Sequence, residues 1–143
     1  MTDREMLELA ARAAGLKEFT EINGRFAVRT RFTGMQDWSP WNPLTDDGDA
    51  LRLAVQLMIR VSVNRAFRLS IPGSVTVEYP DRDGVYFALG EAVTNGDPYA
   101  ATRRAIVRAA AEIGRGWHRQ DAPGVPRSTH GRGCPLWRVA VGI

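Results

Sequence analysis

A chain of 143 residues with 44% hydrophobic and 24% charged residues has the size and composition of one globular domain, which excludes wholesale disorder. Its single cysteine excludes an intrachain disulfide, and no apolar run approaches the roughly 18 residues that a membrane span needs. The charged N-terminus lacks the apolar stretch of a secretory signal, so the sequence predicts a soluble cytoplasmic protein.

The net charge of +3 is unevenly distributed along the chain. Residues 115–143 carry five arginines against Asp121, a net charge of +4. The net charge of residues 1–114 is therefore −1. The basic residues are 18 arginines and Lys17. Arginine binds planar anions with a rigid fork of donors, which favours an anionic partner. Codon bias in a GC-rich genome is the simpler explanation of the same arginine usage.

Residues 2–14 have the pattern of an amphipathic helix. Thr2 and Glu5 have capping-box spacing, so each side chain can accept a hydrogen bond from the other's backbone N–H. Gly15 is placed to end the helix. The apolar stripe consists of Met6, Leu9, Ala10 and Ala13.

Residues 17–33 have the pattern of a β-hairpin. Asn23 and Gly24 are the preferred pair for a tight two-residue turn, because both central residues need positive φ. The second strand then alternates between an apolar and a basic face. The apolar face carries Phe26, Val28, Thr30 and Phe32, and the basic face carries Arg25, Ala27, Arg29 and Arg31.

Residues 34–45 are predicted to form a loop, because Pro40 and Pro43 restrict their own backbone and that of the residues before them. The loop contains Trp38 and Trp41, which we interpret as anchors that pack over the sheet or a helix. The alternative is that the two indoles are stacking platforms for a flat ligand or a base.

Residues 46–58 are predicted to form the second helix. Thr45 or Asp46 can cap it, and Asp47 and Asp49 lie in its first turn, where negative charge suits the helix dipole. The acidic cluster contains a fragment of a calcium-loop pattern without the distal Glu, so helix capping is the preferred interpretation. The apolar stripe consists of Leu51, Ala54, Val55 and Met58.

Three strands are predicted next, at residues 61–69, 75–79 and 85–89, with turns at 71–74 and 80–84. Their connections are too short for a parallel crossover, so the strands form an antiparallel meander. The sequence therefore predicts an α+β fold, with an antiparallel sheet of about four to six strands and three helices.

Asp97 and Pro98 predict the start of the third helix, as a capping carboxylate followed by proline at the first helical position. Gly114 is placed to end this helix, whose apolar stripe consists of Ile106, Ala109, Ala110 and Ile113. The chain is thereby divided into one domain at residues 1–114 and a basic extension at 115–143. The extension is rich in Gly, Pro and Arg, and its residues 136–141 have the pattern of a final strand.

Two stretches carry a family resemblance. Residues 41–55, WNPLTDDGDALRLAV, and residues 97–114, DPYAATRRAIVRAAAEIG, are similar to two signatures of a group of small phage and prophage proteins of unknown function, the ABA-sandwich type. The resemblance implies a sheet layered between helices, an α-β-α sandwich, and a phage or prophage origin. It implies no reaction and no catalytic residues.

The charged cluster best placed to bind a ligand lies on the predicted third helix. Arg104 and Arg108 are four residues apart and so share a face, and Arg103 lies beside them. This cluster is either a solvated helix face or an anion-binding face. The anion-binding interpretation expects function where the basic extension meets the helix. Its candidate ligand-binding residues are Arg103, Arg104, Arg108, Trp117, His118, Arg119, Trp38 and Trp41.

The sequence predicts no catalytic residues, no metal site and no cofactor. Its conventional nitrogen and sulfur metal ligands are His118, His130 and Cys134, too few for a structural zinc site with four ligands. It contains no Gly-x-Ser-x-Gly elbow, P-loop or dinucleotide-binding fingerprint.

These observations predict a non-enzymatic accessory protein that acts in the cytoplasm of an infected bacterial host cell. Its expected partner is an anionic small molecule or a host protein, and it is not expected to bind a membrane. A homo-oligomer is expected, since small domains form deep pockets most easily between subunits. A specific version is anti-defence: sequestration of a nucleotide that signals antiphage immunity. The alternatives are a nucleic-acid-binding phage regulator, disfavoured by the −1 charge of residues 1–114, and a small nucleotide hydrolase.

Overall fold

A computed structural model describes residues 1–16, 18–29, 38–64 and 73–118 of the chain. Within these residues no helix combines the length and apolar character that crossing a membrane requires. The expected elements at residues 30–37, 65–72 and 136–141 lie outside the described ranges. The element order is α1 (Asp3–Ala13), β1 (Glu18–Ile22), β2 (Arg25–Arg29), β3 (Trp38–Pro40), α2 (Asp47–Gln56), β4 (Arg60–Asn64), β5 (Ser74–Pro80), β6 (Tyr86–Ala92) and α3 (Pro98–His118).

The described strands form two three-stranded antiparallel sheets, in the orders β1-β2-β3 and β4-β5-β6. The α+β class and the three helices are confirmed, but the prediction of one sheet with about four to six strands is wrong. Period-two alternation identifies strands without specifying which of them pair. The first sheet also includes β3, a short strand in the expected loop, where Pro40 is tolerated because β3 lies at the sheet edge.

The hairpin of β1 and β2 is confirmed within the described residues. Asn23 and Gly24 have φ angles of 52° and 75°, as the two-residue turn requires. The rings of Phe19 and Phe26 stack at 5.5 Å on the face that packs against the core. The hairpin thus places its apolar face inward.

The N-termini of the three helices are capped as the sequence predicts. On α1, the Thr2 hydroxyl accepts a hydrogen bond from the Glu5 N–H at 3.3 Å, and the Glu5 carboxylate accepts one from the Thr2 N–H at 2.7 Å. Hydrogen bonds to the Glu5 carboxylate from the Thr2 backbone N–H and the Thr2 side chain hold the pKa of Glu5 below its ordinary value. Asp46 accepts from the Asp49 N–H at 2.8 Å on α2, and Asp97 caps α3 in the same way. Local sequence signals therefore place all three helix starts.

The buried side of α2 differs from the prediction. Leu51, Val55 and Met58 are exposed, whereas Ala54 is buried as predicted, together with Ala50 and Leu53, which the predicted stripe did not include. Both sets fit the same helical spacing of apolar residues, because α2 is apolar on more than one side. Periodicity alone therefore does not identify which side of α2 packs inward.

The helix α3 is the central element of the fold. It contacts α1 and α2 as well as all three strands of the second sheet. Ala109, Ala110 and Ala111 are all fully buried although successive helix residues point about 100° apart, so α3 is enclosed on most sides. The layers are the β4-β5-β6 sheet, α3, and then α1 with α2, rather than one sheet between two helix layers. A partly exposed stripe of α3 carries Arg104, Arg108, Glu112 and Arg115.

Gly114 does not end α3, which continues to His118. A Cβ atom built on Gly114 would lie 2.2 Å from the backbone carbonyl oxygen of Leu9 in α1, well inside van der Waals contact. The glycine is therefore required by the close crossing of two helices and not by a C-cap. The predicted domain boundary after residue 114 consequently falls inside a helix.

Replacing Gly114 by alanine is expected to lower the free energy of unfolding by about 1–3 kcal/mol, because the added methyl group pushes α1 and α3 apart. Gly116→Ala is the matched control on the same helix, since a Cβ there meets no atom within 4 Å. The control should have the wild-type free energy of unfolding or one up to about 1 kcal/mol higher. Urea unfolding monitored by circular dichroism gives the free energy of unfolding of both variants. Equal stability of the two variants would contradict the close crossing.

Candidate functional site

Arg103 lies in a structural contact between α3 and the start of α2. Its Nε donates to the carbonyl oxygen of Leu44 at 2.9 Å, and its Nη1 lies 2.6 Å from a carboxylate oxygen of Asp47. The side chain is only 18% exposed. The contact joins residues 41–55 to residues 97–114, so the two stretches that carry the family resemblance meet through Arg103.

Arg104 and Arg108 share a face, as their spacing predicts, and both pair with Glu91 of β6. Arg108 forms a short ion pair with one carboxylate oxygen, and the Arg104 Nε lies 3.7 Å from the other. Arg104 also lies 3.3 Å from a carboxylate oxygen of Asp3. These ion pairs tie α1, β6 and α3 together and offset the positive charge expected to attract an anion. Arg103 does not share the Glu91 carboxylate and bonds instead to Leu44 and Asp47.

The two tryptophans of the expected loop do not form one stacking surface. Trp41 is buried, 9% exposed, with its ring edge-on to Phe19 at a centroid distance of 6.2 Å. Trp38 is 37% exposed, and the Arg29 guanidinium lies 4.9 Å from its ring centroid. The geometry of Trp41 supports its interpretation as an anchor. Arg29 in turn pairs with Glu18 at 3.0 Å, so this part of the basic hairpin face is also ion-paired.

The remaining candidate residues lie at the end of α3. Trp117 and His118 belong to its last turn, and Arg119 lies outside the described residues. The anion-binding site expected at these three residues stays a prediction.

A cleft of about 820 Å³ lies where the C-terminal ends of the three helices meet the second sheet. Its walls are residues 13–15, 56–58, 112–113 and 115–116, at or near the ends of α1, α2 and α3. Residues 79–83 and Phe87 complete it from the sheet. We call this concavity the helix-end cleft. It lies at the end of the helix from which the basic extension departs.

The helix-end cleft has an aromatic and apolar side. The rings of Tyr79 and Phe87 lie 5.9 Å apart with a tilt of 30°. Leu57 and Ile113 are partly buried beside them, and about half of the Phe87 side chain is exposed. Exposed aromatic surface in a concave site can stack against a flat group of a ligand.

The electrostatics of the cleft favour positive charge. Three helix C-termini converge on it, and each carries a partial negative charge from its terminal carbonyl groups. The lining also contains three carboxylates against two guanidinium groups, namely Asp81, Asp83 and Glu112 against Arg82 and Arg115. The cleft therefore suits an ammonium or guanidinium group better than a phosphate.

Several polar groups of the cleft are bonded within the fold. Asp81 accepts hydrogen bonds from the N–H groups of Asp83 and Val85, both at 2.8 Å, and so forms the β5–β6 turn. Glu112 lies 3.4 Å from Arg115. The Gln56 amide donates to the carbonyl oxygen at the end of α1 at 2.7 Å. These bonds give the cleft a defined shape.

Tyr79 contributes a protonated hydroxyl group to the cleft at neutral pH. Burial raises the pKa of the Tyr79 phenol above its ordinary value of 10.0, and the nearby negative charge of Glu112 raises it further. Both causes disfavour the phenolate. The hydroxyl is therefore available as a hydrogen-bond donor throughout the physiological pH range.

Met58 has an unusual backbone for its residue type. Its φ of 58° is in the left-handed region. The other described non-glycine residues with positive φ are Asn23 and Asn95, and asparagine tolerates this region better than methionine does. Met58 follows α2 at the position where glycine is preferred, and Ile59 completes the cap by donating to the Ala54 carbonyl at 2.9 Å. The strained backbone costs about 1–3 kcal/mol. The Met58 side chain is 62% exposed and lines the cleft.

Comparison of the chain with protein-family models, with curated proteins and with solved structures found no match. The resemblance of residues 41–55 and 97–114 to the phage ABA-sandwich group therefore stays a prediction. In the part of the chain that the structure describes, no three or more His, Cys, Asp or Glu side chains are grouped to hold a metal ion. Fold and site together define a small α+β domain with a cleft of ligand-binding size.

Sequence reasoning missed the helix-end cleft because its residues come from elements far apart in the chain. Tyr79 has the pattern of an ordinary strand residue, and Glu112 that of a solvated helix residue. The one local signal was Met58, a bulky residue where the end of α2 prefers glycine. Such a signal indicates a position but not the partners that surround it.

The stability of the protein is expected to fall above about pH 10 through Tyr79. Because the folded pKa is raised, the neutral phenol stabilises the fold below the unfolded pKa, and this stabilisation is lost as the pH rises through the folded pKa. Tyr79→Phe should therefore lose less unfolding free energy between neutral and alkaline pH than the wild type does. Tyr99→Phe, at an exposed site, is the control. Parallel pH profiles for wild type and Tyr79→Phe would contradict the burial of this phenol.

Proposed function

We propose that this protein is a non-enzymatic binding protein, an accessory protein of a phage or prophage, and that its ligand binds in the helix-end cleft. The observation that supports binding is the cleft itself. Its volume of about 820 Å³ is within the range of small-ligand sites, roughly 300–1,000 Å³. The phage origin is supported by the resemblance of residues 41–55 and 97–114 alone.

The cleft favours a ligand that joins a flat apolar group to a positive charge. Tyr79 and Phe87 offer ring surface, and Glu112 offers a carboxylate at the same end of α3. A host protein could supply both groups through an aromatic residue beside an arginine or lysine. The expected anionic ligand is supported less well, because the lining carboxylates outnumber the guanidinium groups and Arg103, Arg104 and Arg108 are paired with carboxylates.

Binding is favoured over catalysis by the state of the polar groups in the cleft. Asp81 is committed to its turn and Gln56 to the end of α1. General acid–base catalysis needs a pair of titratable groups free to exchange a proton with a substrate. Asp81 and Gln56 instead maintain the walls of the cleft, and Glu112 alone does not make such a pair.

Two probes that share an indole ring and differ in charge test the proposal. Tryptamine, with an ammonium group, is expected to shift the amide NMR signals of residues 57–58, 79 and 112 in a saturable way. Indole-3-acetate, with a carboxylate, should bind more weakly. 5′-AMP tests the nucleotide-sequestration version. Shifts confined to residues outside the cleft, or tighter binding of either anion than of tryptamine, would overturn the proposed ligand chemistry.

Two variants locate the tryptamine site. Glu112→Gln should weaken tryptamine binding about twofold to fivefold, equal to the roughly 0.4–1 kcal/mol of a partly exposed ion pair. Met58→Gly should also weaken it without loss of stability, because glycine accepts the left-handed backbone. Glu78→Gln is the matched control, since Glu78 adjoins Tyr79 in β5 but lies on the opposite face of the sheet. Unchanged affinity in both cleft variants would place the site elsewhere.

A further inference from the structure

The strand β4 forms an edge of the second sheet, and its apolar side chains are exposed there. Among the described strands, β4 pairs with β5 alone. Val61 lies opposite Val77 of β5. Val63, the next residue on the same face, lies opposite Val75. The two β5 valines are fully buried, whereas Val61 is 38% and Val63 56% exposed. The apolar face of the sheet therefore continues to its β4 edge without cover from the described residues.

The other edges of the two described sheets have features that discourage pairing with a further strand. Inward-pointing charges, exposed charges, prolines and very short strands all have this effect. The opposite edge of the second sheet, β6, carries Glu91 on the same face as the valines. In the first sheet, β3 has only three residues and contains Pro40, and β1 carries Glu18 and Glu21. The charged residue of β4 is Arg60, on the face opposite the valines, so β4 is the described edge best suited to pair.

The backbone groups that point away from the sheet at this edge belong to Val61 and Val63. The Val93 N–H donates to the carbonyl oxygen of Gly73 at 2.9 Å, in register with the β5–β6 pair, so the odd-numbered residues of β5 bond to β6. The even-numbered residues of β5 therefore bond to their partners in β4, which are also even-numbered. The N–H and C=O groups of Val61 and Val63 consequently point outward, towards a neighbouring strand.

These outward groups match those of a second copy of β4 in an antiparallel register centred on Ser62. Val61 of one copy then lies opposite Val63 of the other, and the two such pairs exchange backbone hydrogen bonds. The four valine side chains meet on one face, where cross-strand pairs of β-branched residues stabilise a sheet. Arg60 lies opposite the neutral amide of Asn64 rather than a second guanidinium. The strand is therefore complementary to itself in hydrogen bonding, apolar contact and charge.

Neighbouring antiparallel registers are less favourable. In the register centred on Val61, Val63 lies opposite Ile59. The Ile59 N–H already donates to the carbonyl oxygen of Ala54 at 2.9 Å, so it is not available to a second strand. In the register centred on Val63, the charged Arg65 lies opposite Val61. Self-pairing of β4 thus favours the first register.

We propose that β4 is the docking surface for a second copy of this chain, and that the two copies pair about a twofold axis at Ser62. The second sheets of both copies then form one sheet with three strands from each. A strand of five residues is about 17 Å long, so the strand pair alone buries far less than the about 1,200 Å² of a stable interface. The dimer is therefore weak and depends on protein concentration. The described lining of the helix-end cleft contains no β4 residue, so this proposal is independent of the proposed ligand.

Sedimentation of the full chain at concentrations from about 10 μM to about 1 mM measures the monomer–dimer equilibrium. Val63→Lys should raise the dissociation constant about tenfold or more, because it places a charge in the valine row of the interface. Val85→Lys is the matched control, since Val85 has the same exposure, 55%, and lies directly before β6. A wild type that stays monomeric throughout, or a dimer that Val63→Lys leaves unchanged, would overturn the proposal.

Disulfide cross-linking tests the register. In a Cys134→Ser background, Ser62→Cys should give a disulfide-linked dimer on mild oxidation, because the two Cα atoms at the twofold axis lie about 4.5 Å apart. Asn64→Cys is the control in the same strand, since its two Cα atoms lie about 14 Å apart in the proposed register, beyond the roughly 7 Å that a disulfide spans. Non-reducing gel electrophoresis measures both. Cross-linking of Asn64→Cys, or of neither variant, would overturn the proposed register.

Amide hydrogen exchange, resolved by NMR, distinguishes a second copy from any other occupant of the edge. The N–H of Ser62 bonds to β5 and should be protected at every protein concentration. The N–H groups of Val61 and Val63 should exchange rapidly at low concentration and become protected as the concentration rises. Protection of these two groups that is independent of concentration would assign the edge to a segment of the same chain and overturn the proposal.

Discussion

The close crossing of α1 and α3 at Leu9 and Gly114 is the contact on which the rest of the structure depends. The carbonyl oxygen of Leu9 lies where a side chain at residue 114 would begin, so only glycine fits. Because α3 also contacts α2 and the second sheet, its distance from α1 sets where these elements converge. The helix-end cleft is bounded by the ends of both helices.

Charged side chains reinforce this arrangement at the other end of α3. Arg103 bonds to the start of α2, while Arg104 and Arg108 hold Glu91 of β6, with Asp3 of α1 also in reach of Arg104. Partly exposed ion pairs are individually weak, but here they link three different elements to one helix. The arginines that resemble an anion-binding face in the sequence are therefore ion-paired within the fold, and the site that the geometry supports begins at Glu112, about one helical turn beyond Arg108.

Sequence and structure agree where the controlling interactions are local. The caps at Thr2, Asp46 and Asp97 and the turn at Asn23 and Gly24 need only neighbouring residues, and all are as predicted. The disagreements concern contacts between distant residues. These contacts determine the division into two sheets, the buried side of α2 and the role of Gly114. The spacing of residues along the chain does not specify which surfaces of distant elements pack together. The cleft belongs to this second group, because Tyr79 and Glu112 become neighbours only when the fold is complete.

The central claim is that the helix-end cleft is a binding site for a flat apolar group joined to a positive charge. A crystal structure of the full chain grown with saturating tryptamine tests it most directly. The account predicts the indole ring against Tyr79 and Phe87, with the ammonium nitrogen about 3 Å from the Glu112 carboxylate. Tryptamine ordered along the Arg104 and Arg108 stripe, or a cleft that contains no tryptamine, would contradict it.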